Sequence, residues 1–494
     1  MIPETSPKCE INPEPFARAY PFVVLLLALA AAVLGSSLAT AAEKAVPAKK
    51  APPSGPALSL DGYLSQVETG NVDVSAAKAA SEGAGLRVGE AALIYSPTLD
   101  AQAQWVRDKR QSPFLTYDRF VNDTFEVGVS QMTPWGLHGR VSYNLTQTGY
   151  IGLGKPIYYY GSPKIELSLD LWRNFFGAET RGGHDAVEAA ALATKYGQSY
   201  QAKVSRAGAE NAYIQLAAAR ELDAVNRDSF DRAQEIYDWN QRRARLNLSE
   251  DSDLYQAQAN LEAMRLNVEA SSDALRSASR AFNQARGVDS DDVNESLVLP
   301  DAKSAKTPER AEMRDDVRAA REQQRAAGAN ARIGREKNKP TLQLYGEYAR
   351  NSQDIEKSDA IDHSFDGNQP TTAIGVRFSM PLAVGTSSDA RAGYAKEAAA
   401  ADALADRKVF DQEVEWKDLV QKLNEAKARL AVAEKLAEIQ KKKALNERNR
   451  LKRGRTTTYQ SLMFETDYNQ AEYRRIQTQS EVLSLLAQMK TFGG

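Results

Sequence analysis

The chain has one cysteine, Cys9, and it precedes the most apolar stretch of the sequence. If that stretch is removed as a leader, the mature chain has no thiol, which excludes disulfides, cysteine metal sites and a thiol nucleophile. A simple lipoprotein is excluded as well, since its lipidated cysteine would follow the apolar run. Histidine is scarce: His138, His184 and His363 are scattered, and none stands in a metal-ligand spacing. The net charge of -2 gives no hint of nucleic-acid binding. No nucleophile-and-base arrangement or nicotinamide fingerprint is present, so the chain is not read as an enzyme and no cofactor or metal is expected. Gly149 through Lys155 superficially fits a phosphate-binding loop, but Pro156 stands where the magnesium-binding hydroxyl belongs and no helix is expected to follow. After residue 41 there is no apolar stretch long enough for a membrane helix, so an exported chain could enter a membrane only as β-strands.

The apolar run from Phe22 to Leu34 follows Arg18 and ends in small residues, with Ala39-Thr40-Ala41 as a cleavage triplet. It is shorter than the about 20 residues that span a bilayer and reads as a secretory signal peptide, residues 1–41. Residues 42–57, rich in Pro, Ala and Lys, read as a flexible tether. From Leu58 the chain repeats one pattern twice: a helix, alternating strands opened by Pro-Thr-Leu, a very long helix, a break, and another helix. Pro97-Thr98-Leu99 recurs as Pro340-Thr341-Leu342, and Gly177 recurs as Gly385. The repeats are expected at 58–287 and 308–494, with a linker at 288–307.

Helices are expected near 58–95, 178–245, 250–287, 308–337, 387–450 and 456–490. The two longest contain no proline and would extend on the order of 100 Å. Leu254, Ala257, Leu261, Met264, Val268, Ser271, Leu275, Ala278 and Phe282 alternate steps of three and four, a coiled-coil seam. Leu419 to Ala437 continues such a seam in the second long helix, and Tyr459, Leu462, Thr466, Asn469, Tyr473, Ile476, Ser480, Leu483 and Ala487 carry another. The strands alternate with the other period: Leu99, Ala101, Ala103 and Trp105 against Asp100, Gln102 and Gln104; Ile374, Val376, Phe378 and Met380 against Gly375, Arg377 and Ser379. One face is apolar and one polar, as a membrane barrel with a wet lumen requires. A soluble half-buried sheet gives the same pattern, but export and aromatic residues clustered near strand ends favour the barrel. Four to six strands cannot close a useful bore alone, so several chains would share one barrel.

Ser59-Leu60-Asp61-Gly62-Tyr63-Leu64, Ser96-Pro97-Thr98-Leu99, Lys339-Pro340-Thr341-Leu342, Phe378-Ser379-Met380-Pro381-Leu382, and the segments from Asp253 and Gly454 after the two helix breaks occur in an order that resembles the TolC family of outer-membrane efflux proteins. The resemblance covers Leu58 to Gly494. It implies an α+β fold: a long coiled-coil periplasmic bundle plus strands contributed to one trimeric, 12-stranded barrel in outer-membrane lipid. It also implies a periplasmic adaptor and an inner-membrane pump or ABC transporter of a type I secretion system as partners. The chain departs from the family in three places: Arg314-Asp315-Asp316 stands where Arg-Pro-Asp is common, the first repeat offers four alternating segments instead of two, and no acidic entrance ring can be placed.

Both helix breaks are basic. Arg242, Arg243, Arg245, Leu246 and Asn247 at the first, and Arg450, Lys452, Arg453, Gly454 and Arg455 at the second, are the candidate entrance and adaptor-contact tips. Cations satisfying the free carbonyls of helix C-termini explain the same residues without a binding role. The alternative function is a periplasmic or surface coiled-coil structural protein, such as an adhesin stalk, in which the strands are soluble and no lumen exists.

Overall fold

A computed structural model describes residues 55–494 apart from 111–115, 247, 249, 304, 367–368 and 494. The leader, most of the tether and Asn247 lie outside the described residues. In chain order the elements are β1 (Ala57–Leu58), α1 (Leu60–Gly70), α2 (Val72–Arg87), a short 3-10 segment to Tyr95, β2 (Thr98–Asp108), β3 (Arg119–Met132), β4 (Leu137–Ile151), β5 (Tyr158–Asp170), α3 (Ala178–Arg245) and α4 (Asp251–Ala285). There follow β6 (Ser296–Leu297), α5 (Asp315–Lys337), β7 (Thr341–Asp354), α6 (Lys357–Asp366), β8 (Gln369–Ser379), α7 (Val384–Lys452) and α8 (Thr458–Met489). Among the described residues no helix is long and apolar enough to cross a membrane.

At 68 and 69 residues, α3 and α7 are the two long helices. Near its start α3 packs on α2 and α5, and further along on α4 and α8; α7 packs first on α5, then on α8. Along α4 the expected seam faces inward: Ala257, Leu261, Val268, Ser271 and Phe282 are buried, while their neighbours on the opposite face are exposed. On α7, Leu423, Leu430, Ala437, Ala444 and Leu451 are buried at every seventh position, the spacing that keeps a seam facing one partner. In the first half of α7 Ala405 and Gln412 are buried seven apart, while Leu404, Phe410 and Val414 are exposed.

Two cores meet at mid-α3. Tyr63, Leu64, Val67, Val74, Tyr213 and Phe282 form one, with Tyr63 stacked 4.2 Å from Phe282 and donating to the Phe282 carbonyl at 3.1 Å. Ile214, Leu423, Leu430, Val482, Leu486 and Met489 form the other. Between them the chain ends of both repeats are tied down. The last residues of the segment expected to be a tether are ordered: Gly55 donates to Asn294 O at 3.1 Å and β1 pairs in parallel with β6. Arg314 is buried at the start of α5, where it bonds Asp316 and Glu415 at 2.6 Å each and lies over the rings of Tyr200 and Phe492. Burial alone would loosen its guanidinium proton, but the hydrogen bonds to the Asp316 and Glu415 carboxylates hold it more firmly than usual.

The helix expected over 58–95 is split, because the Asn71 side chain caps α2 through Val74 N at 3.0 Å while its backbone ends α1. The α5 helix begins at Asp315, later than expected. The polar stretch after Arg350 is the end of β7 followed by α6, whose Ala360 and Ser364 are buried against β5 and β7.

Candidate functional site

All four alternating segments of the first repeat are strands of the same sheet, which holds six antiparallel strands in the order β2-β3-β4-β5-β7-β8. Both Pro-Thr-Leu segments enter it identically, at Thr98 and Thr341, since proline bars the helix from continuing and alternation takes over. Register places Leu99, Val129, Val141, Ile165, Tyr348 and Thr372 in one row across all six strands. That face stays apolar and exposed through Val127, Leu167, Leu344, Ile374, Val376 and Phe378. Its charges, such as the Arg107–Asp123 pair, sit toward the end away from the helices. Near the helices Trp135, Trp172, Phe175 and Phe176 are exposed, an arrangement suited to an apolar band bordered by an aromatic interface.

The opposite face is polar and its charges are wired across strands. Arg140 on β4 reaches Asp100 on β2 at 2.5 Å, Glu126 on β3 at 2.9 Å and Glu166 on β5 at 3.9 Å. Lys164 pairs with Glu166 at 2.8 Å and with Glu347 on β7 at 3.4 Å. Four carboxylates face two cations in this belt.

At the foot of the sheet the β3–β4 turn is keyed into the start of α3. Asn174 and Phe176 have φ of 58° and 48°, Gly136 81° and Gly177 72°. Only glycine fits at 177, because a Cβ would run into the Pro134 carbonyl. Asn174 Oδ1 accepts from Glu179 N at 2.9 Å and Thr180 N at 3.0 Å, capping α3. The expected counterpart, Gly385, lies inside the first turn of α7 with open space around it, so the two glycines do different work.

The two basic helix breaks come together. Ile236 of α3, Ala257 of α4, Leu451 of α7 and Leu462 of α8 share one small core, and Thr458 donates to Asn240 Oδ1 at 2.9 Å. Of the candidate tip residues, Arg243 and Arg450 close their own turns. Arg243 stacks 4.6 Å from Trp239 and donates to Leu248 O at 2.7 Å; Arg450 bonds Glu447 at 3.0 Å and its carbonyl accepts from Arg455 N at 2.9 Å. Gly454, at φ 66°, completes that turn, and Lys452 approaches Glu235 of the other hairpin at 3.9 Å. Arg242, Arg245, Leu246, Arg453 and Arg455 are exposed at the ends.

Further along the bundle a buried polar latch joins the hairpins, a feature no sequence pattern singled out. Arg232 of α3 donates to Glu465 at 2.7 Å and to Asn469 at 2.8 Å on α8, and Ser229 donates to Asn469 at 2.6 Å. Arg232 and Glu465 side chains are 11% and 10% exposed. Burial pushes the neighbouring Tyr468 phenol up, with Arg232 lying 5.3 Å from its ring. Had helix pairing been known, a charged Glu465 one turn from Leu462 would have been the signal.

The structure brings His184 together with Asp185 and Glu188, which the scattered-histidine reading did not foresee. Arg332 and Arg325 bond those two carboxylates at 2.5 Å each, and His184 stacks on Tyr95, so the cluster ties α3 to α5. Gly149 to Lys155 ends β4 and turns into β5, not into a helix.

Long paired helices ending in tips, joined to a sheet with one apolar and one charged face, make up a fold also seen in solved outer-membrane channels. Solved structures with this fold include the outer-membrane channel OprN, at 17% identity and a TM-score of 0.63 over 88% of this chain and 90% of that one. The outer membrane protein VceC of Vibrio cholerae is similar at 17% identity and 0.61, covering 88% and 96%, and the open-state MtrE outer membrane channel of Neisseria gonorrhoeae at 16% and 0.61, covering 88% and 89%. No protein-family model and no curated protein matches the sequence.

Proposed function

We propose that this chain is one protomer of a trimeric outer-membrane channel, the passive exit duct of a tripartite efflux pump or type I secretion system. Its sheet sits in outer-membrane lipid and its helices reach through the periplasm. The observation that carries this reading is the sheet: an exposed apolar face, a wired polar face, and two edge strands, β2 and β8, whose outer edges have no strand partner among the described residues. Unpaired edges are not tolerated in lipid, so copies must join edge to edge around a wet lumen. Exposed Arg242, Arg245, Arg453 and Arg455 at the tips suit contact with a periplasmic adaptor, which links the duct to an energised inner-membrane pump or ABC transporter. Opening is a parting of the two hairpins, for which the Arg232–Glu465–Asn469 latch must yield.

The test is the mass, by light scattering after size-exclusion chromatography, of the mature protein extracted from isolated outer membranes in mild detergent. A mass of three chains is expected. A soluble monomer or dimer in the periplasmic fraction would favour the coiled-coil structural protein instead.

A further inference from the structure

A 12-stranded wall, as the family resemblance implies, takes four strands from each of three copies, whereas this chain presents six in one sheet. Three observations make the additional hairpin part of the wall. First, the apolar row through Leu99, Val129, Val141 and Ile165 crosses every first-repeat strand without a change of face. Second, the polar face is equally continuous, because Arg140 on β4 binds carboxylates on β2 and β3 as well as approaching Glu166 on β5. Third, the β3–β4 turn is pinned at the foot of the sheet, where Gly136 and Gly177 leave no room for a Cβ between the turn and the start of α3. A hairpin so held cannot swing out as a decoration. Strand direction also fits: β2 runs away from the helices and β8 returns to them, so a junction between copies continues the antiparallel order.

We propose that β2 of one copy pairs with β8 of the next, and that three copies of the six-stranded sheet close an eighteen-stranded barrel. This rests on the trimeric-channel reading and deepens it. Because barrel diameter grows roughly linearly with strand number, the bore is about one and a half times that of a twelve-stranded barrel. Such a lumen admits wider cargo through the membrane layer than a four-strand-per-chain relative would.

The experiment is a strand count by electron cryomicroscopy of the full chain, extracted in mild detergent and placed in lipid nanodiscs. Eighteen strands around a threefold axis are expected. A twelve-stranded ring, from three copies with a hairpin outside it or from two copies, overturns the inference; in the three-copy case the trimeric channel stands. A particle with no membrane ring overturns both. As a second measurement, deletion of residues 119–151 removes β3 and β4 and lets β2 meet β5. The membrane ring of its trimers should narrow to twelve strands, about two thirds of the full chain's diameter, in the same maps. An unchanged ring would overturn the proposal, and a deletion that fails to assemble leaves the strand count of the full chain as the deciding result.

Discussion

Replacing Arg232 by Met removes the cation from a site where Glu465, 10% exposed, has its 2.7 Å partner there and little water. Stripping one member from a buried ion pair costs about 3–5 kcal/mol, most of it the stranded charge. Glu465→Gln in the same background relieves that charge. The Arg232–Glu465 coupling read from a double-mutant cycle should therefore be about 2 kcal/mol, the range of a hydrogen bond to an ionised group. If the latch breaks when the hairpins part, the same 2 kcal/mol should raise the ratio of open to closed channels about thirtyfold in Arg232→Met. Single-channel recordings of wild type, Arg232→Met, Glu465→Gln and the double variant, with thermal melts of each, measure both quantities. A coupling seen in the melts with open occupancy unchanged would refute the gating role and leave the latch a structural tie. A coupling near zero would refute the energetic argument itself.

Three further outcomes are expected. Burial raises the Tyr63 phenol far above its ordinary pKa, so its stabilising effect is present below pH about 10 and lost as pH climbs above that; Tyr63→Phe should lose about 1 kcal/mol at neutral pH and flatten the alkaline decline in denaturant melts. Gly177→Ala should cost about 2–4 kcal/mol or block assembly, whereas Gly385→Ala, with open space around it, should be neutral or stabilising by up to about 1 kcal/mol in the same thermal assay. Changing Glu126 and Glu347 to Gln removes two of the four carboxylates in the polar-face belt, and the reversal potential in a salt gradient should move from cation preference toward neutrality; no shift would place that face outside the conducting path.

The long helices were legible because nothing in them competes: no proline, seams of alternating three and four, and glycine or cations at the ends. The start of each strand group was legible from proline followed by strict alternation, which is why Thr98 and Thr341 open β2 and β7. What failed depends on partners distant in sequence. Tyr459 and Tyr473 fall on the expected seam of α8 yet are 59% and 49% exposed, because α8 packs on both α3 and α7 and its buried arc moves to Thr458, Ser461 and Glu465. The Arg232–Glu465 pair joins residues 233 positions apart, beyond any periodicity. The inventory of basic tip residues could be read from the sequence, but not that Arg243 and Arg450 are spent on closing turns while Arg242, Arg245, Arg453 and Arg455 stay exposed.

The uneven burial along α7 bears on how the protein is made. Its second half carries a heptad seam satisfied within one chain but leaves Val432 and Ile439 open beside it, at 68% and 52% exposure, and its first half leaves Leu404, Phe410 and Val414 open, at 68%, 58% and 48%. On the trimeric reading proposed above, a new copy can consolidate the seam around Leu423 to Leu451 by first-order folding, but these outer apolar positions and the strand edges gain partners only on meeting other copies. That step is second order or higher in chain concentration, so dilution lengthens the life of a half-finished molecule with sticky helix faces and unpaired strand edges. Biogenesis of such a chain becomes a race between assembly and aggregation, and its yield a function of how densely copies are delivered to the membrane.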